Sequence, residues 1–171
     1  MNRRDTGVFL VAALIGCGAA SGQSGATVEA PLLRVELADG AARTFTRTDL
    51  ERIPAESAEA RLRDGQAFTV TGVSVTTLLE LAGLDLGANL GGAAVVGHAL
   101  VARAADGYVA VFGLAEVDPH FGRAPLMVVW KNADGSALRP GVGPVQLINA
   151  GESRSGRWVR QLEVLEVKAL R

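Results

Sequence analysis

Cysteine is almost missing from this 171-residue chain: the one that occurs, Cys17, lies in the N-terminal apolar stretch, and residues 18–171 contain none. The body therefore holds no internal disulfide and offers no thiolate to a metal or to covalent catalysis. Histidine is nearly as scarce: His98 and His120 are far apart, with no companion at ligand spacing, and make a poor metal candidate. Aromatic residues make up 5% of the chain against 49% hydrophobic residues overall, so the core has to be built from Val, Leu, Ile and Ala. Neither sign of charge is in excess, with 15 Lys and Arg against 16 Asp and Glu from Pro31 onward. That balance supplies no bulk field favouring nucleic acid or an anionic surface as partner.

What is present at the amino end has the layout of an export signal. Arg3 and Arg4 precede an uncharged apolar run, Gly7 to Gly16 (GVFLVAALIG), which small residues follow. The run is shorter than the roughly 20 apolar residues of a bilayer span. Leu14, Ile15, Gly16 and Cys17 resemble the lipobox of bacterial lipoproteins, which implies an acylated Cys17 as the mature amino terminus and as the attachment to a membrane. An ordinary signal peptide cut later, for instance between Gly22 and Gln23, is the alternative. A buried helix of the mature domain is disfavoured, because polar residues at helical spacing are lacking. The Arg3–Arg4 pair resembles the twin-arginine signal, but Asp5, Thr6 and Gly7 follow where that signal carries bulky apolar residues. Residues 1–30 thus read as a signal and a small, polar tether (CGAASGQSGATVEA), and 31–171 as a single exported domain, periplasmic or membrane-anchored. At 141 residues that domain is long enough to bury around two-thirds of its extended-chain surface without a covalent staple.

Asp-Gly pairs punctuate the body at 39–40, 64–65, 106–107 and 134–135, and such pairs supply the positive φ of tight turns between strands. Leu33, Val35 and Leu37 alternate with Arg34 and Glu36, predicting a half-buried strand that returns over Arg43 to Thr46. Thr48 and Glu51 have capping-box spacing, predicting a short helix that ends before Pro54. Phe68 to Gly72 reads as a strand. Val75, Leu78, Leu79 and Ala82 repeat at helical spacing, with Ser74 as N-cap and Gly83 as the left-handed C-terminal residue. Val95 to Arg103 and Tyr108 to Phe112 read as a hairpin, and Leu114 to Val117 as one helical turn. Leu126 to Lys131, Val145 to Ile148 and Trp158 to Val167 supply the last strands. Strands interrupted by short helices predict an α+β fold with a mostly antiparallel or mixed sheet. The glycine-rich stretch Gly87 to Gly97 follows a helix instead of opening one, so it reads as a connector and not as a phosphate loop.

Several of these segments together resemble the sulfite-oxidase-type molybdopterin-binding domain family. They are Phe68 to Gly83 (FTVTGVSVTTLLELAG), Ala105 to Glu116 with its Asp-Gly-Tyr and Leu-Ala-Glu, Asn132 to Leu138 with Ala133 as an insertion, Gly143-Pro144, and Gly156-Arg157-Trp158-Val159. They fall in the family's order across residues 32–167. The resemblance implies the family's fold, and its chemistry would require a cysteine near Glu56 to Phe68 to hold the metal. No cysteine is there, and the stretch between Ile53 and Gly72 is short for the family's cysteine loop. An arginine that helps hold the cofactor's phosphate in the family corresponds here to Gln146, and the lysine before the tryptophan is Arg157.

Other chemistry is limited by the same inventory. Arg154 and Arg157, with Ser153 and Ser155 between Gly151 and Gly156, can cradle an anion, or can form a solvated turn entering a strand. Gly143, Arg154, Ser155 and Arg157 are therefore the candidate cofactor- or ligand-binding residues, with no catalytic or metal-ligating residue assigned. Residues 151–156 (GESRSG) are one residue too long for a nucleophile elbow, and no histidine follows to act as base, so a hydrolase is discarded. His98 is expected to be a satisfied core histidine, His120 a loop residue, and Trp130 and Trp158 packing residues. Two functional expectations result. One is a non-catalytic exported domain that keeps the molybdopterin-binding fold, carries no cofactor, and binds a small anionic ligand or a periplasmic protein. The other is a molybdopterin-dependent oxidoreductase component holding the cofactor through Arg154, Arg157 and backbone amides without a thiolate.

Overall fold

The computed structural model describes residues 29–87, 91–122, 125–152 and 154–170. The expectation for Cys17, the tether up to Val28, and Ser153 lie outside them.

The four Asp-Gly pairs share one device. Gly40, Gly65, Gly107 and Gly135 have φ of 90°, 88°, 86° and 82°, values that cost glycine little because it has no Cβ. In each pair the aspartate Oδ1 accepts the backbone N–H two residues on, from Ala41, Gln66, Tyr108 and Ser136, at 2.9–3.0 Å. The first three close hairpins: β1 (Leu33–Glu36) with β2 (Ala42–Phe45), β3 (Glu56–Arg61) with β4 (Ala67–Ser74), and β5 (His98–Ala104) with β6 (Val109–Gly113). The fourth folds the chain back after β7 (Leu126–Val129), where Lys131 and Ala137 form a lone antiparallel bridge. β8 (Gln146–Asn149) and β9 (Leu162–Ala169) complete the strands.

They form two sheets, one ordered β2-β1-β9-β5-β6 and mixed through the parallel β1–β9 pair, the other ordered β3-β4-β7-β8 and antiparallel throughout. The fold is α+β. Among the described residues four short α-helices lie between strands: α1 (Arg47–Arg52), α2 (Val75–Leu81), α3 (Gly92–Val96) and α4 (Leu114–Val117). Among the described residues no helix is long and apolar enough to cross a membrane.

The main core takes side chains from both sheets and from α2, with Phe45, Leu50, Leu78, Leu79, Phe112 and Leu165 at its centre. β7 reads Leu-Met-Val-Val and is buried at every position, because successive side chains of a strand point to opposite faces. Leu126 and Val128 enter the main core, while Met127 and Val129 join a smaller cluster with Ala60, Val70, Ile148 and Ala150. The second sheet therefore has apolar side chains on both faces. Its two inner strands approach closely: a Cβ at Gly72 in β4 would lie 2.3 Å from the Val128 carbonyl oxygen, so only glycine fits.

α2 is capped as its sequence predicts, with Ser74 Oγ accepting the Thr77 N–H at 3.2 Å and Gly83 at φ 106°. Elsewhere the structure moves boundaries. The capping box of α1 is Thr46 with Asp49, two residues before the expected Thr48 and Glu51, because the Asp49 carboxylate reaches the Thr46 N–H at 2.9 Å. Val95 belongs to α3, within the stretch read as a connector, and its side chain is fully buried there. Trp158 and Val159 precede β9 instead of opening it. Val159 bridges to Leu147 of β8, and Gln161 at φ 48° turns the chain into the first sheet. The strand β3 lies in a segment with no strand prediction.

Candidate functional site

The outer face of the second sheet carries a groove of about 700 Å³. Its floor is the smaller apolar cluster, with Val70, Val129 and Ile148 standing out from three adjacent strands. Phe68 and Trp158 form one side, their rings in an edge-to-face contact with centroids 5.8 Å apart. Trp158 is fixed by its Nε1 donating to the Asn149 carbonyl at 2.9 Å and by the Val159–Leu147 bridge that follows it.

The turn after β7 also lines the groove. Asn132 donates from Nδ2 to Ser136 Oγ and to the Ala137 carbonyl, both at 2.9 Å, and the Asp134 carboxylate accepts the Ser136 hydroxyl at 2.6 Å. That Ser136 contact is the main reason the Asp134 carboxyl is held below its ordinary value. Beyond the turn, Leu138 packs on the apolar cluster. Gly143 lies against it so closely that a Cβ there would be 2.9 Å from the Leu138 Cβ.

Lys131, Arg139 and Arg160 line the groove, and among the described residues no carboxylate does. None of the three forms an ion pair among the described residues. Gln146, Asn132, Ser155, Thr69 and Thr71 add neutral hydrogen-bonding groups. An apolar floor, an aromatic pair and three unneutralised cations suit an organic anion with an apolar body. The stretch from 56 to 68, where the resemblance would require a metal-ligating cysteine, is the β3–β4 hairpin, and it gives the groove Leu62 and Phe68. Carbon side chains stand on that side in place of a soft donor. Among the described residues no three of His, Cys, Asp and Glu converge in a way that could hold a metal ion. The donor set therefore does not fit a thiolate-held molybdenum centre.

The sequence-predicted residues are divided by the structure. Ser155 lines the groove, and Gly143 lies behind its wall. Arg154 is exposed and outside the lining. Arg157 occupies a different cluster: its Nε donates to Glu152 at 2.7 Å, its Nη2 to Glu152 and to Glu116, and its guanidinium stacks 4.5 Å above the centroid of Phe112. The Tyr108 hydroxyl donates to the Gly156 carbonyl beside it. Glu152 first, and then Glu116, hold Arg157 above its usual pKa against the opposing effect of burial.

His98, expected in the core, is only half-buried, with its Nδ1 on the Ala94 carbonyl, and His120 is exposed in the loop after Asp118. Trp130 is buried in the main core, and its Nε1 has no hydrogen-bond partner among the described residues. Sequence reasoning missed Lys131, Arg139 and Arg160, although the first two flank an Asp-Gly turn and the third follows Arg157 by three residues.

No protein-family model matches the chain, and no curated protein matches it. Among solved structures it is similar to the sulfane dehydrogenase SoxCD from Paracoccus pantotrophus, with a TM-score of 0.57 and 21% identity. The match covers 80% of this chain and 37% of that one, so this chain spans little more than a third of the neighbour. At this identity the likeness shows a shared fold, in agreement with the α+β architecture read from the sequence.

Proposed function

We propose that this chain is a non-catalytic binding domain that keeps the molybdopterin-binding oxidoreductase fold and uses the groove on its second sheet for a small organic anion. The observation that carries the reading is the groove lining: three cations and, among the described residues, no carboxylate, over an apolar floor, with Leu62 and Phe68 on the side where metal chemistry of this fold would need a thiolate. Lys131, Arg139 and Arg160 attract the charge, the Phe68–Trp158 pair packs on the apolar body, and Gln146 and Ser155 read hydrogen bonds. Arg157 acts as a structural cation, since two carboxylates already neutralise it. Export, with Cys17 as the acylated amino terminus, belongs to the same proposal and rests on the sequence; a periplasmic protein bringing an acidic side chain to the groove is the macromolecular form of the same chemistry.

Two measurements test this. Molybdenum and pterin content, determined on protein purified after export from a host that makes the cofactor, should both be near zero; stoichiometric metal would restore the oxidoreductase reading and demand a ligand other than cysteine. Titration calorimetry with phenyl phosphate should show binding that weakens in Arg139→Ala and Arg160→Ala. Absence of any binding to the intact domain removes the proposal.

A further inference from the structure

A second cavity, of about 280 Å³, opens between the end of α1 and the strands β4 and β7, with Ile53, Pro54, Ala55 and Trp130 in its walls. Among the described residues, only Thr71 and Lys131 line both this cleft and the groove. Lys131 is therefore a boundary residue. Its backbone is held by the bridge to Ala137, and its ammonium lies 5.9 Å from the centroid of the Trp130 ring. Thr71 adds a hydroxyl, which it already shares with Ser57 at 3.0 Å.

The two cavities differ in charge. On the groove side Arg139 and Arg160 continue the positive lining. On the cleft side one carboxylate, Glu51, and one further cation, Arg52, line the walls, and the rest are apolar apart from Thr71 and Lys131. A ligand whose charge sits at one end fills one cavity only. A ligand whose charge is internal can place it at Lys131 and send one substituent each way. From this geometry we infer that groove and cleft form one two-lobed site for an organic phosphodiester, with the phosphate at Lys131, the larger arm in the groove and a compact uncharged arm in the cleft. The inference rests on the anion-binding reading above and adds to it the position of the charge and the second lobe. Trp130 contributes an apolar wall to that lobe.

Electrostatics alone and the two-lobed site make opposite predictions. Phenyl phosphate carries close to two charges at neutral pH and diphenyl phosphate carries one, so a site that reads only charge prefers the monoester. The two-lobed site prefers the diester, because the second ring leaves water for the cleft, and about tenfold tighter binding is expected. In Ala55→Phe, a change at an exposed position that fills the cleft, the ratio of diester to monoester affinity should fall to one or below; Ala55→Leu serves as a milder filling. Dibutyl phosphate compared with diphenyl phosphate separates a lipid-like aliphatic source from an aromatic one. Either diester exceeding phenyl phosphate, with the advantage lost in the filled variants, supports the inference.

Monoester binding that equals or exceeds diester binding in the unaltered protein, while Arg160→Ala still weakens both, overturns the two-lobed site and leaves the groove reading intact. Binding of neither removes both. A diester preference that survives both fillings places the second arm elsewhere and overturns the assignment of the cleft.

Discussion

Arg157 and Arg160 stand three residues apart, on either side of Trp158 and Val159, yet one is held by two carboxylates and the other faces a groove that has none among the described residues. The short helical turn at 155–157 explains the division. It swings Arg157 back toward β6 and α4, where Glu116, Glu152 and the face of Phe112 receive it. The bridge from Val159 to Leu147 then aligns Arg160 with the second sheet. The same residue type thus serves as a tie between the two sheets in one place and as an open cation in the other. Availability for an anion is set by what already neutralises the guanidinium, and a sequence pattern of arginines among serines and glycines does not contain that information.

The contrast can be broken or sharpened by measurement. The largest effect is expected from Gly72→Ala, which forces a methyl group into the Val128 carbonyl and so separates the strands that floor the groove; a loss of about 3 kcal/mol in urea denaturation is expected. Arg157→Ala should come next. It leaves Glu116 and Glu152 unneutralised and uncovers Phe112, for about 1–2 kcal/mol of stability, with titration of phenyl phosphate unaffected. If that variant instead lost anion binding at unchanged stability, the division drawn above would be reversed. Arg160→Ala should do the opposite, keeping its melting midpoint and weakening phenyl phosphate by about fivefold, which is roughly 1 kcal/mol.

The smallest effect concerns pH. The Thr46 N–H holds the Asp49 carboxyl, and the Ser136 hydroxyl holds the Asp134 carboxyl, below their ordinary value of 3.8. A carboxyl depressed in the folded state contributes stability that is complete above its unfolded value and lost as the pH falls through its folded value. Both contributions should therefore be present at neutral pH and disappear below about pH 4. Asp134→Asn should shrink that acid-dependent loss, as followed by circular dichroism, without affecting the Arg157 cluster.

Much of the fold was legible because its signals are local. Asp-Gly turns, period-two alternation in β1 and the Ser74 cap each act over a few residues, and each appears where the sequence places it. The failures are where tertiary context decides. β3 reads Glu-Ser-Ala-Glu-Ala-Arg, residues with little intrinsic preference for strands, and is held extended by pairing along its whole length with β4. α3 reads Gly-Ala-Ala-Val-Val, where the branched residues argue for a strand, but burial of Val95 within a helical turn prevails. The candidate site was the least legible part. Lys131, Arg139 and Arg160 are spread over thirty positions of the chain and meet only because β7, the turn after it and the bridge to β8 bring them to one sheet face. Ser155 was legible, as one of a small polar cluster, although the arginine beside it in the sequence faces elsewhere.

The place of β9 in the first sheet also bears on how the domain is made. It lies between β1 and β5, pairing Val35 with Leu165 on one side and Leu100 with Val167 on the other. Until residues 162–169 arrive, β1–β2 and β5–β6 are two separate hairpins, each with an unsatisfied inner edge. The first sheet can therefore close only after nearly the whole body has emerged, which keeps the chain open to threading through a narrow passage and leaves any fragment broken ahead of Leu162 exposed to aggregation and proteolysis.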